Sequence, residues 1–322
     1  MKAIQIVTTG STEVLAVVDV PIPVPRLGEA LVQIDSSGVN FIDIYYREGR
    51  YPAPLPLVLG REGAGTIVQI GPGKTGFKRG DRVVWRGGFG TYAEFAVVPM
   101  ERLLAIPEGI TLEEAAASIT QGLTAHYLTH SAYPIQPDDT VLIHAGAGGT
   151  GLLTIQMAKA LGARVLTTVS TEDKAMLALD AGADEVILYT KENFPDRVRE
   201  LTAGAGLPVV YDSVGKSTFE QSLACLSRRG LLVLVGAASG PVPPFDLIRL
   251  STMGSLYVTR PILNDYVATR VDLERRATDL FQAILQKRLK LRIEKVFPLA
   301  EASRAHTMLE SRKTAGKLLL KP

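Results

Sequence analysis

Residues 141–163 read VLIHAGAGGTGLLTIQMAKALGA, and the fold is decided by how this stretch is read. An apolar run of strand length ends in a glycine-rich turn, and the turn opens at once into a helical pattern. Gly146, Gly148 and Gly151 satisfy G-x-G-x-x-G. Each glycine answers a separate demand: a tight turn, close approach of backbone to a pyrophosphate, and close packing of helix on strand. Amides at the helix start then face the phosphates, aided by the helix dipole. Alone, such a triplet is only a glycine-rich turn. Set between a strand and a helix, it predicts a dinucleotide site, with Gly149 and Thr150 inside the loop.

Downstream, apolar strands alternate with amphipathic helices: RVLTTV, a helix through KAMLALDAG, EVILY, a helix through DRVRELTAG, LPVVYDSVG, a helix through TFEQSLACLSRRG, LLVLVGA and SLYVTR. Six strands joined by crossover helices predict a parallel, doubly wound sheet. Upstream the grammar differs. AIQIV, LAVVDV, ALVQID, GTIVQIG, DRVVW, YAEFAVV and LLAIP are short strand-like runs punctuated by Gly and Pro, the signature of a compact β-rich barrel or sandwich. After Pro261 come a long helix around DLERRATDLFQAILQKRL, a strand IEKVFPL, a short helix and a last strand GKLLLKP, which read as a return to the β-rich domain. The expected division is 1–122, 123–262 and 263–322, in an α/β chain without internal repeat.

Bulk properties narrow the functional classes. A length of 322 residues suggests about two domains of roughly 150 residues. Lys+Arg 35 against Asp+Glu 33 leaves a net charge of +2 with no long block of one sign, which argues against a dedicated nucleic-acid or membrane-surface binder. No apolar run approaches the roughly 20 residues of a membrane span. MKAIQIVTTG at the start lacks a secretory apolar core. The single cysteine, Cys225, excludes an intrachain disulfide and a four-cysteine structural zinc lobe, and suits a reducing, cytoplasmic setting.

The end of the second strand of the alternating region selects the dinucleotide. An NAD site usually places an acid there for the ribose 2′-hydroxyl. Here the strand ends at Val169-Ser170, and Glu172 and Asp173 fall in the first turn of a helix, where they suit the dipole and a Ser170–Asp173 capping pair. Ser170 and Lys174 offer a hydroxyl donor and a point positive charge to a 2′-phosphate. NADP(H) is therefore favoured over NAD(H).

The segments GVNFIDIYYREGRYP, GREGAGTIVQIG, GFKRGDRVV, EEAAASITQGLTAHYL, AGAGGTG, VVYDSVG, GSLYVTRP and LESR, spread over essentially the whole chain, resemble the medium-chain dehydrogenase/reductase superfamily. Within it they are most similar to the quinone oxidoreductases, which include the zeta-crystallins. The resemblance implies a GroES-like β-rich catalytic domain with an inserted Rossmann domain, NADPH as cofactor, and a homodimer. In the zinc enzymes of this superfamily a Cys, then a Gly-His-Glu segment, then a later Cys hold the metal. The first position corresponds here to Asn40, the His to Arg61, and only Glu62 survives. Glu62 with its flanking glycines reads as a scaffold turn in which Arg61 and Glu62 can pair locally. Cys225 falls in the nucleotide domain, and His126, His130, His144 and His306 form no zinc pattern. His126 and His130, four apart on an expected helix, are the one spacing that could clamp an ion. The expectation is a zinc-independent enzyme with no metal.

Without a Lewis acid an alkoxide is hard to stabilise, so quinones and conjugated carbonyls, which spread incoming charge over a π-system, are the expected hydride acceptors. Asn40, Tyr45 and Tyr51 are taken as substrate-side residues, and Asn40 and Asp43 also suit the cap and first turn of a short helix. The resemblance further implies cofactor contacts from Phe41, Ile42, Asp43, Tyr45, Tyr127, Gly149, Thr150, Ser170, Lys174, Tyr189 and Ser213. Val235, Gly236, Ala237, Ala238 and Ser239 follow, with Pro261, Leu263 and Arg312; Lys174, Tyr189 and Arg312 are assigned to the 2′-phosphate. Edge pairing through SLYVTR is the expected route to the dimer. Two other readings stay open: reduction of enones or enoyl thioesters, and a crystallin-like RNA-binding role.

Overall fold

The computed structural model describes residues 1–73 and 76–322. The chain forms two compact units, Met1–Gln121 with Thr269–Gln286 and Leu291–Pro322, and Gly122–Ala268 with Lys287–Lys290.

The Gly122–Ala268 unit carries a six-stranded, all-parallel sheet. Its strands lie in the order Glu185–Leu188, Arg164–Val169, Thr140–His144, Leu207–Asp212, Leu226–Leu234, Tyr257–Thr259. Counted along the chain this is 3-2-1-4-5-6, the doubly wound Rossmann order, which reverses direction between the first and fourth strands. Helix Gly149–Ala160 buries Leu152, Leu153, Ile155 and Met157. Its neighbours supply a core around Leu142, Leu166, Val210, Phe219 and Leu232. Apolar strands buried on both faces account for the unbroken hydrophobic runs in the sequence.

The other unit is β-rich. Seven strands form one sheet, in which Ile293–Pro298, Lys317–Lys321, Glu29–Val39, Glu62–Ile70, Arg82–Arg86 and Leu104–Ala105 follow in order and Phe95–Pro99 pairs with Glu29–Val39. Ala16–Asp19, Lys2–Ile6 and Leu57–Val58 form a smaller one. The C-terminal strand does return to this unit. It runs antiparallel to Glu29–Val39, with Leu318 opposite Val39 and Leu320 opposite Ser37. On its other flank Glu29–Val39 sets Ser37 opposite Gly63. Two registers therefore deliver Lys317 and Glu62 to the end of one strand, where Asn40 begins helix Phe41–Arg47. Among the described residues no helix is long and apolar enough to cross a membrane.

Candidate active site

In the nucleotide-binding unit the glycine loop follows strand Thr140–His144. A side chain at Gly146 would run into Thr167 and Ile155, and one at Gly151 into the carbonyl of Ala145 and the backbone of Gly146. Those two glycines are required by the turn itself. At Gly148 an added Cβ would come only to 3.2 Å from Ala145 O, so this position lies against a more open face. Gly148 is the N-cap of helix Gly149–Ala160, and no side chain caps it. The first-turn amides of a helix have no partner within it, an arrangement that generally favours an anion.

Beneath the loop lies a buried polar chain. The His144 ring nitrogens meet Thr168 Oγ1 at 2.8 Å and Ser222 Oγ at 3.0 Å, and the Ser222 hydroxyl donates to Asp212 Oδ2 at 2.9 Å. Asp212 Oδ1 accepts the amides of Val214 and Gly215 at 2.8 and 2.9 Å, and Thr218 donates to Oδ2 at 2.7 Å. This carboxylate therefore shapes the turn that carries Ser213. Burial holds the His144 pKa below its usual value, keeping the ring neutral at physiological pH. Asp212 was missed in the sequence although VVYDSVG displays it, because an acid at a strand end does not announce which amides it will cap.

At the end of the second strand the local detail differs from expectation. Thr171, not Ser170, is the N-cap of helix Glu172–Asp180, accepting from the amide of Lys174 at 3.3 Å. Both hydroxyls are capable caps, and the helix begins at Glu172, which makes Thr171 the residue that precedes it. Glu172 faces away to Lys191 at 2.6 Å. Ser170 and Lys174 are half-buried. Tyr189, 51% exposed, follows the neighbouring strand, whose Leu188 lies opposite Val169. These three residues thus share one corner. Tyr127 is buried and stacks on Tyr266, centroids 4.2 Å apart. Val235, Gly236, Ala237, Ala238 and Ser239 follow the end of strand Leu226–Leu234, and Pro261 and Leu263 follow that of Tyr257–Thr259. Carboxyl ends of parallel strands are where ligands of such sheets bind. Arg312 belongs to the β-rich unit, just past helix Ala302–Glu310.

In the β-rich unit the geometry around Asn40 departs from a simple turn. Asp43 Oδ2 accepts the Asn40 amide at 2.9 Å, which ties down the helix start. The Asn40 side chain points elsewhere, donating from Nδ2 to Glu62 Oε1 at 2.7 Å and accepting from Lys317 Nζ at 2.8 Å. Lys317 also pairs with Glu62 directly. The Thr120 amide donates to Glu62 Oε2 at 3.0 Å. A side chain at Gly38 would overlap Glu62, so glycine there makes room for the carboxylate. The expected Arg61–Glu62 pairing does not form. Arg61 lies over the rings of Tyr46 and Phe89, 4.9 and 4.7 Å from their centroids, because Glu62 turns into the interior toward Lys317.

A second buried chain runs behind Asn40. Arg47 donates from Nη1 to His306 Nδ1 at 3.2 Å, and since a guanidinium can only donate, Nδ1 must accept. The hydrogen then lies on Nε2, which donates to Tyr92 Oη at 3.1 Å, and Tyr92 donates to Asp43 Oδ2 at 3.1 Å. Glu310 neutralises Arg47 with contacts of 3.0 and 2.7 Å. Burial, then the neighbouring Arg47 charge, push His306 down to about 3. Burial lifts the Asp43 carboxyl to about 7, against the pull of the Asn40 amide and with a push from Glu62. The Asp43 carboxylate therefore looks inward. Phe41 and Ile42 are half-buried, Tyr45 is 8% exposed and Tyr51 36% exposed. Tyr51 meets Tyr45 and Tyr46 edge-on, with centroids 5.6 and 5.5 Å apart.

The donor set does not fit a zinc ion. The Glu62 carboxylate is occupied by an ammonium, an amide N–H and a backbone N–H, Asn40 offers no thiolate, and Arg61 is a permanent cation. His126 and His130 stack face to face at 4.2 Å and 10°, so their nitrogens do not converge. Among the described residues no group of three His, Cys, Asp or Glu side chains is placed to hold a metal.

Comparison with known proteins places these features in context. Residues 26–108 match the alcohol dehydrogenase GroES-like domain and residues 149–275 the zinc-binding dehydrogenase family. A quinone oxidoreductase of Pseudomonas aeruginosa is 48% identical over 100% of this chain and 99% of its own. The structure of Escherichia coli quinone oxidoreductase complexed with NADPH superposes with a TM-score of 0.98 at 44% identity, covering 100% of both chains. A 2-haloacrylate reductase of Burkholderia sp. is 39% identical over 94% of each chain.

Proposed function

The chain belongs to the quinone oxidoreductases of the medium-chain dehydrogenase/reductase superfamily, and from that premise we propose that it is an NADPH:quinone oxidoreductase working without zinc. The observation that carries the reading is the Lys317–Glu62–Asn40 lock. Glu62, Asn40 and Lys317 satisfy one another's polar groups, a donor set that does not suit a Lewis acid, so the acceptor itself must spread the charge it receives. Quinones and related conjugated carbonyls do so.

NADPH, when bound, supplies the hydride. The chain's own residues bind and orient. The uncapped amides of helix Gly149–Ala160 take the pyrophosphate, and Ser170, Lys174 and Tyr189 form the 2′-phosphate corner, joined in the assignment by Arg312. Ser213, residues 235–239, Pro261 and Leu263 make up the remaining strand-end contacts, and Tyr127, at the end of helix Leu112–Tyr127, joins them. Phe41, Ile42 and Tyr45 are assigned to the nicotinamide, whereas the Asp43 carboxyl, turned inward, serves the helix start. Lys317 and Glu62 fix which end of the Asn40 carboxamide points where, with Nδ2 donating to Glu62 at 2.7 Å and, at 3.5 Å, to the Gly38 carbonyl. Tyr45 and Tyr51 supply an aromatic wall. The quinone receives two electrons and one proton as hydride, and solvent provides the second proton that completes the hydroquinone. Likeness to a 2-haloacrylate reductase favours conjugated acids as a second acceptor group.

The chain is further read as a cytoplasmic homodimer with neither membrane nor nucleic acid as a primary partner. Strand Tyr257–Thr259 ends the parallel sheet with Tyr257 54% and Val258 37% exposed, and an open apolar edge calls for a partner edge. NADPH oxidation with 1,4-benzoquinone and 9,10-phenanthrenequinone, set against crotonyl thioesters and binding of a labelled RNA, tests the assignment. Rapid turnover of the quinones alone is expected; turnover confined to thioesters, or RNA binding without turnover, would reject it.

A further inference from the structure

The charges around the aromatic wall do not balance, and the imbalance sits on one residue. Lys317 is matched by Glu62. Arg47 is matched by Glu310 at 2.7 Å, and Arg50 by Glu48 at 2.6 Å. Asp43 is turned inward to the Asn40 amide and Tyr92. Arg61 is left over. It is half-buried, its guanidinium lies over Tyr46 and Phe89, and among the described residues no carboxylate lies within ion-pair distance of it.

Those rings hold it firmly. Tyr46 and Phe89 meet edge to face at 4.8 Å, and the same Tyr46 continues through Tyr51 to Tyr45. A guanidinium stacked on an aromatic face keeps its in-plane N–H groups free, and that edge matches a carboxylate or sulfonate in two-pronged fashion. A partly desolvated cation with no counter-ion is a standing attraction for an anion. Glu62, next to it in the chain, does not quench it, because Lys317 already holds that carboxylate.

We propose that Arg61 is a specificity-determining residue that recognises an anionic group on the acceptor, so that the preferred substrates are conjugated carbonyl compounds bearing a carboxylate or sulfonate. The inference rests on the oxidoreductase reading above and names the acceptor class for the same site.

Two measurements separate it from that reading. Calorimetric titration with naphthalene-2-sulfonate, in the presence of NADP+, reads anion recognition without turnover. Arg61→Met, which keeps an unbranched stem and removes the charge, should weaken this binding by roughly tenfold or more, and Arg61→Lys should lose less. In parallel, the ratio of kcat/KM for 1,4-naphthoquinone-2-sulfonate to that for 1,4-naphthoquinone should fall by roughly tenfold in Arg61→Met, mainly through KM of the sulfonate. Absence of naphthalene-2-sulfonate binding by the unmodified protein, or equal binding by Arg61→Met, overturns the proposal. So does an unchanged ratio with both quinones slowed together, which would make Arg61 a packing residue for Tyr46 and Phe89. If neither quinone is reduced while the binding difference persists, anion recognition stands and the quinone reading falls.

Discussion

Lys317 Nζ pairs with the Glu62 carboxylate across 255 residues of chain, in a setting where the two side chains are 2% and 0% exposed. The same ammonium reaches Asn40 Oδ1 at 2.8 Å, and Asn40 returns a hydrogen bond to Glu62 at 2.7 Å. Three residues from three segments thus form a closed triangle at the start of helix Phe41–Arg47.

Breaking one side of this triangle strands a buried charge. Lys317→Met should cost about 3–5 kcal/mol of stability, the usual penalty for an uncompensated buried ion. Adding Glu62→Gln should recover a large part of that loss, because the double variant has no orphan charge. Urea denaturation of the two singles and the double gives the coupling; strictly additive losses would show that the pair does not act as one.

Asp43 and His306 should drive stability in opposite directions with pH. The folded state holds the Asp43 carboxyl at about 7 against an ordinary value of 3.8. Its contribution is therefore fully present below that lower value and lost as pH rises through the folded one. His306 is held at about 3 against 6.5, so its contribution is complete above the higher value and lost as pH falls toward the lower. Across the shared window the two largely offset each other. Asp43→Asn removes the first, so its stability relative to the parent should rise by on the order of a few kcal/mol from pH 4 to 7 and level off above. An offset that stays constant across that range would mean the carboxyl is not perturbed in the fold.

Lys174 should discriminate between the two nicotinamide dinucleotides. Lys174→Ala is expected to weaken NADPH by roughly tenfold or more, the worth of a hydrogen bond to a charged group, and to leave NADH nearly untouched. Fluorescence titration with both cofactors reads the difference. Equal effects would remove Lys174 from the 2′-phosphate corner.

The exposed sheet edge should carry self-association. Placing a charge on it with Tyr257→Lys, a device that natural sheets use to block edge pairing, is expected to shift the protein to a monomer in size-exclusion chromatography with light scattering. A dimer of unaltered strength would locate the interface elsewhere.

Much of this architecture could be read along the chain. Gly146 and Gly151 are demanded by contacts within a few residues or with the adjacent strand, and six apolar runs separated by helical spacing leave few topologies other than a doubly wound sheet. The C-terminal return was also legible, since GKLLLKP has strand character and the nucleotide-binding alternation is already complete before it. The capping of helix Glu172–Asp180 was less so: Ser170 and Thr171 are chemically equivalent there, and pairing with the strand Glu185–Leu188 sets where the strand stops.

The linear order of residues was enough to give the class of sheet and the cofactor loop. How Glu62 is held depends on the three-dimensional pairing of strands. Periodicity assigns a residue to a face of its own strand and carries no register between strands remote in the chain. Lys317 therefore gave no sign that it would meet Glu62 until the last strand paired with Glu29–Val39. That pairing turned Glu62 inward and left Arg61 with no carboxylate at ion-pair distance among the described residues.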